Sequence, residues 1–157
     1  MDPRWLKPRQ PIASSMAIFG HPVHPMLVHF PVAALLGLVA SDVAFIYTED
    51  SFWARLGLWL AGVGSIGGWI AALFGFLDWL VVRKIRAMVS ASIHGILAIT
   101  MLSLASFNWI WRLDDAIAPI LPWGIYVSVL TAAMIAVTSA LGGILVFEYG
   151  VGVDMEP

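Results

Sequence analysis

The sequence predicts an all-α fold, an integral membrane four-helix bundle whose antiparallel helices run up-down-up-down. Two observations carry this. The 157 residues are 61% apolar and only 11% charged, outside the range of soluble globular domains. The apolar residues also gather into four blocks, Pro25 to Tyr47, Ala54 to Val82, Ala87 to Ile110 and Leu121 to Phe147, each long enough at ~1.5 Å per residue to cross a hydrocarbon core of ~30 Å.

Residues 1–20 read as a cytoplasmic N-terminal segment, 21–150 as the transmembrane domain with spans at about 25–47, 54–82, 87–110 and 121–147, and 151–157 as a short tail. The first block is full length and carries His29 and Pro31, so it is expected to remain as a span, not to be cleaved as a signal peptide. Arg4, Lys7, Arg9, Arg83, Lys84 and Arg86 fall on one side of the bundle and Arg55 and Arg112 on the other, which places both termini in the cytoplasm. Trp53, Trp109, Trp111 and Trp123 at the outer boundary, and Trp5 and Trp79 at the inner one, are expected to act as interfacial anchors.

Small residues recur at a spacing near 3.5, which predicts close packing along left-handed seams. They are Ala33, Gly37, Ala40 and Ala44 in the first span and Gly57, Ala61, Gly64, Gly68, Ala71 and Gly75 in the second. Ala91, Gly95, Ala98 and Ala105 mark the third span, and Ser128, Ala132, Ala136, Ser139 and Gly143 the fourth. Short connections make consecutive helices antiparallel neighbours.

The chemistry-bearing residues cluster at one end. His21, His24 and His29 lie in His21-Pro22-Val23-His24-Pro25-Met26-Leu27-Val28-His29-Phe30-Pro31, while His94 lies about two turns into the third span and Asp78 near the end of the second. Pro31 is expected to free the Leu27 carbonyl and bend the helix near His29. By their spacing from the small residues, His29, His94 and Asp78 face the interior in the same leaflet, Glu148 lies at the water boundary, and Asp42 lies off the seam as an interfacial carboxylate. Ionisable groups inside a membrane are functional-site candidates. Neutral imidazoles facing each other across a bundle suit axial ligation of haem iron, here haem b held by His29 and His94. With a carboxylate they suit a Cu, Fe or Zn ion held by His21, His24, His29, Asp78 and His94. The same residues can instead hydrogen-bond each other and the backbone, with no cofactor.

No cysteine is present, which excludes disulfides, cysteine-ligated iron–sulfur clusters and thioether-attached haem. No basic run suggests nucleic acid, and no recognised catalytic motif occurs. Three functions remain open: an electron-transfer subunit with a redox partner protein, a cofactor-free structural or assembly subunit, and a metal-ion or proton transporter.

The run from Gly20 to Pro31, Gly75-Phe76-Leu77-Asp78, His94, and the ending Leu141-Gly142-Gly143-Ile144-Leu145-Val146-Phe147-Glu148-Tyr149-Gly150-Val151-Gly152-Val153 together resemble the bacterial membrane family catalogued as domain of unknown function 2231. The resemblance covers nearly the whole chain after residue 20. It implies four spans in a bacterial inner membrane and, because some members join this domain to a Rieske iron–sulfur domain, a redox neighbourhood. Many members resemble Tyr-Arg-His-Gly-Val-Gly-Val at the end, where this chain has Tyr149 in place of the histidine. An arrangement of two haems with four histidine ligands would therefore need His21 and His24 to supply one pair.

Overall fold

The computed structural model describes residues 11–153. A short hairpin of β1 (Ala17–Ile18) and β2 (His21–Pro22) leads into α1 (Val23–Thr48). Then follow α2 (Ser51–Val81), a single turn α3 (Arg83–Arg86), α4 (Val89–Trp111) and α5 (Ile125–Gly143). A five-residue π-helical turn, Ile144–Glu148, extends α5 at its end, while Ile120–Gly124 leads into α5 through a kink at Leu121, whose backbone is extended (φ −111°, ψ 138°). Four helices are long and apolar enough to cross a membrane, covering Val23–Thr48, Ser51–Val81, Val89–Trp111 and Ile120–Glu148. Each of the four apolar blocks falls mainly on one of these helices. The third starts later than expected because the basic stretch after Val82 closes into its own turn. Residues 1–10, with Arg4, Trp5, Lys7 and Arg9, and residues 154–157 lie outside the described residues.

Local chemistry sets the helix ends. Glu49 takes a left-handed conformation (φ 55°) to end α1, its N–H donating to the Phe45 carbonyl. Asp50 then caps α2 by accepting from the Phe52 N–H at 2.8 Å, satisfying one of the donors that a helix start leaves free. In the 112–119 connection, Asp115 accepts from the N–H groups of Ile117 and Ala118, and these bonds hold its carboxyl below the ordinary range. That loop contact is therefore present above the ordinary carboxylate pKa and lost as acid protonates the group.

α1 packs on α2, α2 on α4, α4 on α5, and α5 back on α1. The four form a ring in which α1 and α4 oppose each other on one diagonal, and α2 and α5 on the other. The α2 seam is as expected: Gly57, Ala61, Gly64, Gly68 and Ala71 are all buried. The α1 seam is not, because Ala33 and Ala40 are exposed and the buried face is Pro31, Ala34, Leu35, Leu38, Ser41 and Asp42. Only one side of a close helix contact needs to be small, and here α2 supplies it. Leu35 fills the space over Gly64, Leu38 that over Gly57, and Leu102 of α4 that over Gly68. Likewise α5 buries Ser128, Thr131, Ile135 and Thr138 while Ala136 and Ser139 face outward. An apolar layer of Leu35, Met101, Leu102, Ala105 and Ile135 fills the middle of the bundle, and large apolar side chains such as Phe30, Trp59 and Val89 cover the outer surface.

A Cβ on Gly64 would stand 2.5 Å from the Leu35 Cγ, whereas one on Gly95 would meet nothing within 4 Å. Gly64→Ala should therefore destabilise the bundle by about 1–3 kcal/mol through overpacking, and Gly95→Ala should be neutral or stabilising. Unfolding by titration with a denaturing detergent checks this; equal behaviour of the two variants would contradict the packing.

Candidate functional site

Two polar layers cross the bundle interior on the α1–α4 diagonal. In the layer nearer the α1–α2 connection, called outer here, with the layer nearer the two termini called inner, Asp42 of α1 and Arg112, which follows α4, are both fully buried. Their contact is bidentate, with Nη1 to Oδ1 at 2.6 Å and Nη2 to Oδ2 at 2.9 Å. Arg112 Nε donates to Asn108 Oδ1 (2.9 Å), Asn108 Nδ2 donates to Ser128 Oγ (2.9 Å), and Ser128 Oγ donates to Asp42 Oδ2 (2.8 Å) and is within 3.0 Å of the Gly124 carbonyl oxygen. Room for the guanidinium comes from glycines on the other diagonal. A Cβ on Gly57 would be 3.3 Å from Arg112 Nη1, and one on Gly124 would be 3.0 Å from Nη2.

In the inner layer His24 of α1 faces His94 of α4, with ring centroids 6.2 Å apart and planes at 88°. His24 Nδ1 donates to the Ala71 carbonyl of α2 (2.8 Å), and His94 Nδ1 donates to the Thr138 carbonyl of α5 (2.9 Å). A carbonyl can only accept, so each Nδ1 carries a proton, and in the neutral ring each Nε2 keeps its lone pair. The flanking residues are again glycines: a Cβ on Gly75 would be 3.0 Å from His24 Nδ1, and one on Gly142 would be 3.5 Å from His94 Cε1.

The two layers share one spacing. His24 and Asp42, Gly57 and Gly75, His94 and Arg112, and Gly124 and Gly142 are each eighteen residues apart. Eighteen residues make five helical turns, so both members of each pair occupy one face, ~27 Å apart along an ideal helix. Each layer thus takes a polar residue from α1 and from α4 or its C-cap, and a glycine from α2 and from α5 or its N-cap.

Several expectations need correction. Asp42 is not an interfacial carboxylate, and Arg112 is not a loop charge; each satisfies the other in the interior. His29 does not face His94. It is exposed on the outside of α1, because the buried face of that helix is rotated away from the Ala33–Ala40 line. The imidazole opposite His94 belongs to His24, five residues earlier. His21 is exposed in the hairpin, its Nδ1 2.9 Å from the Phe19 carbonyl oxygen. Asp78 is buried at the inner end as expected, but its oxygens accept from Ser14, Ser15 and Met16. The five-residue metal set of His21, His24, His29, Asp78 and His94 is therefore not assembled, and no group of three metal-ligating side chains occurs among the described residues. Glu148 is exposed, as expected, and Tyr149 follows the last π turn, its N–H bonded to the Ile144 carbonyl.

Fold and layers define a four-helix membrane protein with a paired-histidine interior. The chain belongs to the predicted membrane protein family DUF2231, whose model matches residues 20–155. Comparison with curated proteins and with solved structures returned no match.

Asp42→Ala leaves the Arg112 guanidinium buried without its counter-charge and should cost about 3–5 kcal/mol. Asp42→Leu combined with Arg112→Met removes both charges and should recover much of that loss. Thermal unfolding of the purified variants decides; a double variant as unstable as the single one would show that the pair matters for more than charge compensation.

Proposed function

We propose that the chain is a small electron-transfer subunit of a bacterial inner membrane, binding haem b between His24 and His94 and exchanging electrons with a redox partner protein. The observation that carries the reading is the inner layer itself. Two imidazoles meet across the bundle with both Nδ1 atoms engaged and both Nε2 lone pairs free. Two imidazoles sharing one metal at ~2.0–2.1 Å per bond would have ring centres about 6 Å apart, comparable with the 6.2 Å found. Gly75 and Gly142 seat the two rings, His24 against the first and His94 against the second.

Haem iron held by two histidines supplies one-electron transfer. The chain's own residues prepare the ligands. The Ala71 and Thr138 carbonyls fix the tautomer and ring orientation of His24 and His94, the usual work of groups that hydrogen-bond a metal ligand. The apolar layer around Leu35 and Ile135 separates the pair from the outer polar layer and from water on that side. It also speaks against a continuous polar path through the bundle, as a transporter would require. For orientation, Arg83, Lys84 and Arg86 are exposed on the side of the termini and Arg55 on the other. With Arg112 withdrawn into the interior, this asymmetry supports cytoplasmic termini.

A second reading, a single Cu, Fe or Zn ion, is favoured by the close seating of the His24 ring against Gly75, since a macrocycle would require the helices to part. A reduced-minus-oxidised visible spectrum of protein expressed with haem supplied, with elemental analysis for iron, copper and zinc, separates the readings. Sharp reduced bands are expected, abolished in His24→Ala and His94→Ala and kept in His29→Ala. A colourless protein carrying one of those metals selects the ion; a colourless, metal-free one overturns both and leaves a cofactor-free assembly subunit.

A further inference from the structure

We propose that Asp78 is a latch that holds residues 11–22 as a strap across the inner end of the bundle and thereby positions His24; the positioning role rests on the His24–His94 reading. The carboxylate of Asp78 accepts four hydrogen bonds from three consecutive residues. Ser14 Oγ donates to Oδ2 at 2.6 Å, and Oδ1 accepts from Ser15 N–H (2.7 Å), Ser15 Oγ (2.8 Å) and Met16 N–H (3.0 Å). Bonds to an ionised acceptor are stronger than those between neutral groups.

From this anchor the strap reaches α1 in one step. The Met16 carbonyl accepts from the N–H of Val23 at 2.9 Å, and Val23 is the first residue of α1, directly before His24. The intervening residues turn back as the β1–β2 hairpin through Phe19 (φ 50°) and Gly20 (φ 79°). No side chain caps the start of α1, so the strap supplies the partner for its first N–H. On the other side of the anchor, Ile12 is buried with Ile85 and Ala91. Its N–H donates to the Gly150 carbonyl (3.0 Å), and its own carbonyl accepts from Gly152 (2.8 Å). Asp78 therefore ties α2 to both the start of α1 and the strap. It lies three residues after Gly75, the glycine against which the His24 ring rests.

The test uses the full chain with Asp78→Asn, Asp78→Glu and the double variant Ser14→Ala/Ser15→Ala. Amide hydrogen exchange over residues 11–22 reads the latch, and titration with copper(II) alone, followed by its nitrogen couplings in electron paramagnetic resonance, reads the histidine pair. In Asp78→Asn and the serine variant, exchange at Ser15 and Met16 should rise at least tenfold. Copper affinity should fall roughly ten- to hundredfold, as for loss of groups that orient metal ligands, and Asp78→Glu should recover part of both. Unchanged protection would overturn the latch. A freed strap with unchanged copper affinity and nitrogen couplings would overturn the positioning role. A wild-type chain that takes up no copper at His24 and His94, while its strap still depends on Asp78, would overturn the positioning role through the histidine reading and uphold the latch.

Discussion

The bidentate contact between Asp42 and Arg112 is the constraint from which the rest of the arrangement follows. Both groups are fully buried, and a slip of either helix by one turn would leave two unpaired charges in a lipid-surrounded interior, where breaking even one such pair is strongly destabilising. The contact therefore fixes α1 and α4 in depth and rotation at the outer end. His24 and His94 each lie five turns back along those helices, so the same constraint brings them level and turned toward each other. Gly57 and Gly124 make room for the guanidinium, and their counterparts Gly75 and Gly142, also five turns away, leave the inner layer its space.

The outer layer is closed and the inner one is chemically open. Arg112, Asp42, Asn108 and Ser128 consume one another's hydrogen-bonding capacity. His24 and His94 spend only their Nδ1 protons on backbone carbonyls and keep both Nε2 lone pairs. The proposed haem or metal reading of the inner layer rests on that asymmetry, with the outer layer as a structural clasp. Asp78, which sequence pattern groups with the histidines, works instead on the N-terminal strap.

Much of the bundle was legible in the sequence because hydrophobic length and the scarcity of charge leave few alternatives. The α2 seam was legible as well, since a helix with Gly57, Gly64 and Gly68 in register offers one face for close approach. The α1 seam is not legible for a physical reason: alanines such as Ala33 and Ala40 can face lipid without penalty, so small residues alone do not say which side is inside. That single rotation moved His29 inward and left the pairing of His24 unseen. The place of Asp42 is hidden in the sequence because its partner, Arg112, lies seventy residues on and reads locally as a charge at the end of a span. A signal was present in the shared eighteen-residue spacing of four pairs, two polar and two of glycine. A period of five turns becomes informative only when charges and glycines are followed together along all four helices.

The central claim, that the interior pair is His24 with His94, can be tested without any cofactor because the chain has no cysteine of its own. Thiol cross-linking with a short bifunctional reagent, applied in native membranes to His24→Cys/His94→Cys and to His29→Cys/His94→Cys, measures which position on α1 faces α4. Efficient intramolecular linking of the first variant and little of the second is the predicted result. Linking through position 29 and not through position 24 would contradict the account.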